Sequence, residues 1–136
     1  ASATDLAGLK DAKIGVQVGT TSLQAVKDVI RPSAELNVYN EQIDAVNALK
    51  NKQVDAVVVD LPTAFYVTAA QVENSRIVGQ FGTASGTPEV FGAVFEKGSP
   101  LVGCVNEAID RLTSSGELAK IESEWLGSAA GAPELK

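Results

Sequence analysis

The chain has 136 residues, 45% of them hydrophobic and 21% charged, a balance that fits one folded domain or two small lobes and not a disordered segment. A net charge of −6, with no basic stretch carrying interleaved aromatics, excludes nucleic acid as an expected partner. With no histidine and one cysteine, Cys104, no internal disulfide, Ser-His-Asp triad or ordinary zinc site can be assembled, and no apolar run is long enough to span a bilayer. The absence of methionine gives the expectation of a processed chain or a fragment.

A polar lead-in runs to Lys13, and the apolar run IGVQV predicts a first strand over 14–18. A helix is expected over 21–30, with Leu23, Val26 and Ile30 on one face and Pro32 just past its end. Residues 36–39 read as a short strand, and 41–50 as an amphipathic helix with Ile43, Val46 and Leu49 spaced three apart. The nearly continuous apolar run at 54–59 predicts a strand covered on both faces. Pro62 suits an early position of a helix over 61–71, and 77–80 reads as a further strand. This β-α-β-α-β-α-β order predicts an α/β unit with a mostly parallel sheet and flanking helices.

GTASGTP at 82–88 interrupts the pattern with turn-forming residues, and 90–95 reads as a strand leaving the unit. Two C-terminal helices are expected, over 100–114 and 116–125, the second carrying Leu118, Ile121 and Trp125 on one stripe. Residues 128–136 read as a frayed tail. Cys104 and Trp125 are expected to pack as apolar groups, and core packing is also favoured for Tyr39, Phe65 and Tyr66. Asp55 reads as an ordinary residue of a solvated strand start.

Chemistry gathers at two strand ends. The turn at Gly19 opens a helix with Thr20, Thr21 and Ser22, where unpaired N–H groups and the helix dipole favour an anion. Asp60 closes the strand over 54–59. If both strands lie in one parallel sheet, an anion site and a carboxylate share its carboxyl edge, where such sheets bind ligands. One attracts a carboxylate and the other an ammonium, which is the polarity of a free amino acid. Helix capping is the alternative reading for the hydroxyl residues and for Asp60, and the two roles can coexist.

In this order, LKDAKIGVQVGTTS, NALKNKQVDAVVVDLPTAFYV, FGAVFEKGSPL and NEAIDRLTSSGELAKIESEWLG resemble the two-lobed amino-acid-binding proteins of ABC importers, from about Leu6 to Gly127. The resemblance implies that 6–81 is the second lobe of a periplasmic-binding-protein-like fold. It further implies that 82–98 is a hinge with a returning strand, and that 99–127 forms helices that pack on a first lobe not represented here. Thr21 resembles the residue that binds the ligand carboxylate, flanked by Gly19, Thr20 and Ser22. Asp60 resembles the acceptor of the ligand ammonium, and Gln17 occupies a strand position that faces either the cleft or solvent. Arg31, Arg76 and Arg111 stand at no position resembling the first-lobe arginine that clamps the carboxylate. The implied function is capture of a free amino acid for import, without catalysis, cofactor or metal. The implied location is extracytoplasmic, in the periplasm or on a bacterial cell-surface lipoprotein, with the importer's membrane subunits as partners. Relatives of the fold include cyclohexadienyl-dehydratase enzymes and ligand-sensing domains of receptor kinases, and both remain alternatives. With no first lobe to cover them, the C-terminal helices carry an expectation of self-association.

Overall fold

The computed structural model describes residues 3–82, 90–127 and 130–136. Its centre is a three-stranded parallel sheet in the order β2-β1-β3, formed by β1 (Ile14–Gln17), β2 (Asn37–Tyr39) and β3 (Ala56–Val57). Val16 pairs with Val38 on one side of β1, and Gly15 with Val57 on the other. The expected third strand is shorter than its apolar run, yet Ala56 N–H donates to Lys13 O and Val58 N–H to Gly15 O, so pairing reaches past the two regular residues. Asp55 fixes this register: its carboxylate accepts from the N–H of Lys13 at 2.9 Å, a structural role beyond that of a solvated strand start.

Helices fill the crossovers. A short α1 (Leu6–Leu9) is capped by Asp5, which accepts from Gly8 N–H at 2.7 Å. The helix after β1 begins as α2 (Thr21–Ala25) and finishes as a π-helical turn, Val26–Ile30. It stops at Arg31, which adopts φ 53° immediately before Pro32, a residue that disfavours a right-handed helical predecessor. Then come α3 (Gln42–Lys50) and α4 (Leu61–Tyr66), the latter also ending in a π-helical turn, Val67–Gln71.

Right-handed crossovers in opposite directions place α2 and α3 on opposite faces of the sheet. The core follows that division. On one face Ile14 packs with Val26, Ile30, Leu9 and Ala12, all buried; on the other, Val46 packs with Val67 and Val72. Along α3 the buried residues are Ala45, Val46 and Ala48, while Ile43 is half exposed, so the helix is rotated from the expected Ile43-Val46-Leu49 stripe. Small alanines let α3 lie close to the sheet, where Gly15 leaves room for the Tyr39 ring: a Cβ there would lie 3.2 Å from Tyr39 Cε2.

Four expectations are corrected beyond the sheet. Residues 77–80 add no fourth strand. Gln80 instead forms one parallel bridge with Glu134, because the C-terminal segment takes up its backbone groups: Gln80 N–H donates to Pro133 O and Leu135 N–H to Gln80 O, each at 2.8 Å. The same contacts tie down 130–136, which is no frayed tail; Ala132 is fully buried. Residues 90–95 form no strand, lacking a described partner, and leave Val90, Phe91 and Val94 strongly exposed. The turn expected over 83–88 lies outside the described residues. Finally, α5 (Leu101–Ser114) and α6 (Glu117–Leu126) pack on each other and contain no buried residue. Cys104 and Trp125, expected to be packed, are consequently exposed.

Candidate functional site

The strand order creates the site. β1 lies at the centre of the sheet between β2 and β3, and a crevice opens at the carboxyl ends of β1 and its neighbour β3, the general ligand position of open α/β sheets. A cavity of about 270 Å³ occupies it, lined by Gln17 at the end of β1, by Thr20, Thr21 and Ser22 after it, by Val58, Val59 and Asp60 after β3, and by Gln42. Five of the six residues singled out in the sequence therefore share one cavity. Gly19 is not in its wall; with φ 74° it supplies the left-handed turn that starts the helix.

The hydroxyl residues divide their work. Thr20 is the N-cap: its Oγ1 accepts from Leu23 N–H at 3.2 Å and donates to Gln17 O at 2.9 Å. Leu23's N–H is thus occupied, and those of Thr21 and Ser22, in the first turn, have no intrahelical partner. Thr21 is exposed and Ser22 half-buried, and neither hydroxyl makes a hydrogen bond among the described residues. The cavity's helical wall therefore offers two N–H donors and two hydroxyls.

Asp60 faces this wall from the start of α4. Its Oδ1 accepts from Thr63 N–H at 3.1 Å and its Oδ2 from Thr63 Oγ1 at 2.7 Å, so it caps α4. A carboxylate has about four acceptor sites, which leaves capacity for a further donor from the cavity. Gln17 sits between the two walls at the end of β1. Its Nε2 donates to Asn40 O at 3.2 Å, leaving the amide oxygen as an acceptor.

A second open cavity of about 370 Å³ adjoins the first through the shared residues Gln17 and Gln42, and adds Glu41, Ile43, Val46, Tyr66 and Gln71. Sequence reasoning missed Gln42, Val58 and Val59, and placed Tyr66 in the core, whereas this residue is 60% exposed and lines this cavity. Tyr66 ends α4, six residues or about 1.7 turns past Asp60, a spacing that gives no helical-face signal linking the two. Of the three arginines near or beyond the sheet, none lines either cavity: Arg31 Nε donates to Asp28 O, Arg76 Nη2 to Ala3 O, and Arg111 pairs with Glu107. Among the described residues no group of His, Cys, Asp and Glu could hold a metal ion, and no helix is long and apolar enough to cross a membrane.

No protein-family model matches the chain. It is similar to a Campylobacter jejuni protein named "Probable histidine-binding protein", at 32% identity over 114 residues, which covers 79% of this chain. The chain spans 41% of that relative's length.

Proposed function

We propose that this chain is one lobe of an amino-acid-binding protein that delivers its ligand to an ABC-type importer outside the cytoplasm. The observation that carries the reading is the pairing of opposite polarities across one cavity: N–H and hydroxyl donors of Thr21 and Ser22 on one wall, the Asp60 carboxylate on the other. The α-carboxylate of an amino acid docks at the helix start and its ammonium at Asp60, with Gln17 between them. Similarity to a protein named for histidine binding supports an amino-acid ligand. The cavity is open and its polar residues are half-buried or exposed, which suits one wall of a two-walled cleft closed by hinge motion. The function is capture without bond making or breaking.

The test is a titration with L-alanine followed by backbone amide NMR, a method that registers millimolar affinity. Thr21 and Ser22 amides shift in the wild-type chain. Asp60→Asn weakens binding by about 1–2 kcal/mol, a charge-assisted contact, and Thr21→Ala by about 0.5–1 kcal/mol. Equal affinity in Asp60→Asn and wild type would reduce Asp60 to a helix cap.

A further inference from the structure

The second cavity has no part in holding the two poles of an amino acid, yet it shares Gln17 and Gln42 with the cavity that does. A side chain leaving the α-carbon passes between these two amides into it. What it meets there is one-sided in charge. Glu41 and Asp60 are the charged residues of the combined walls, both acidic, and no lysine or arginine lines either cavity.

Glu41 is the N-cap residue of α3, but its side chain makes no capping bond and no other hydrogen bond among the described residues. It remains exposed, with its acceptors uncommitted. The positive end of α3 opposes it, but a helix terminus carries about half an elementary charge against a full negative charge on the carboxylate. The net field of this wall is negative. Ile43, half exposed, gives an apolar surface for a methylene stem, and the exposed Tyr66 is a partner for a delocalised cation.

We infer that the cavity between Glu41 and Tyr66 is the side-chain subsite, and that Glu41 selects amino acids whose side chain ends in a cation. The inference rests on the reading of Thr21, Ser22 and Asp60 as the backbone site. An acidic side chain is rejected by the same field, and a neutral one is accepted without gain.

The test compares L-arginine with L-citrulline, its neutral isostere, and with L-alanine, by amide NMR titration of the wild-type chain and of Glu41→Gln. Wild type binds arginine about three- to fivefold more tightly than citrulline, the upper part of the range for an exposed ion pair. In Glu41→Gln that ratio falls below twofold, while alanine affinity is unchanged. A ratio near one in wild type, or a ratio that survives Glu41→Gln, overturns the subsite and leaves the backbone site standing. Failure of all three ligands to shift Thr21 and Ser22 overturns both.

Discussion

Thr20 and Thr21 are adjacent, chemically identical and do different things. Thr20 spends its hydroxyl inside the fold, on Leu23 N–H and Gln17 O, whereas Thr21 keeps its hydroxyl in the cavity. Thr20→Ala therefore lowers stability by about 1 kcal/mol, the usual cost of losing an N-cap, and Thr21→Ala leaves it within about 0.5 kcal/mol. Urea denaturation of the two variants checks the division; equal losses would contradict it. Asp60 caps α4 and also lines the cavity, so its position alone does not separate capping from the proposed ligand binding. Asp60→Ser separates them, since serine also caps well. The residues of the first cavity were legible because helix starts and strand ends announce themselves by hydroxyls, glycine and an acidic residue after an apolar run. Val58 and Val59 were not, because a strand residue's face depends on where regular pairing ends, and β3 keeps only two regular residues of a longer apolar run.

At the scale of elements, periodicity located α3, α5 and the first strand to within a residue of their ends. It failed where pairing depends on a distant partner. Residues 77–80 have strand character, but the partner they find is 133–135, and nothing local in GAPELK signals that. Gly79 makes this docking possible: a Cβ there would lie 2.5 Å from Pro133 O and 2.6 Å from Leu135 Cδ2. Gly79→Ala should displace the C-terminal segment and cost about 1–3 kcal/mol, the range for overpacking. The loss is read by hydrogen exchange: the Gln80 and Leu135 amides lose protection while those of β1 keep theirs. Unchanged protection at Leu135 would mean the segment accommodates the methyl. Gln80 is the hub of the attachment, its Nε2 donating to Leu126 O at 3.0 Å and to Ala132 O at 2.8 Å.

For the whole molecule, the α/β unit has a buried core on each face of its sheet, while α5 and α6 present Leu101, Val102, Ile109, Leu112, Ile121 and Trp125 to solvent. Amphipathic spacing identified the stripe of Ile121 and Trp125 in the sequence, but spacing shows only that a face is apolar and not what covers it. A contiguous exposed apolar surface of more than a few hundred Å² is unusual for a soluble monomer. The isolated chain should therefore self-associate through these helices, with an apparent mass in light scattering that rises with concentration. A constant monomer mass, with Trp125 fluorescence shielded from an aqueous quencher, would contradict this. The central claim, that one cavity reads both poles of an amino acid, is tested most directly by deleting one pole at a time. L-alanine, alaninamide and N-acetyl-L-alanine are titrated separately against the wild-type chain, with the Thr21 and Ser22 amides as reporters. The account predicts saturable shifts with L-alanine and binding at least several-fold weaker when either the carboxylate or the ammonium is masked; equal affinity for all three compounds would contradict it.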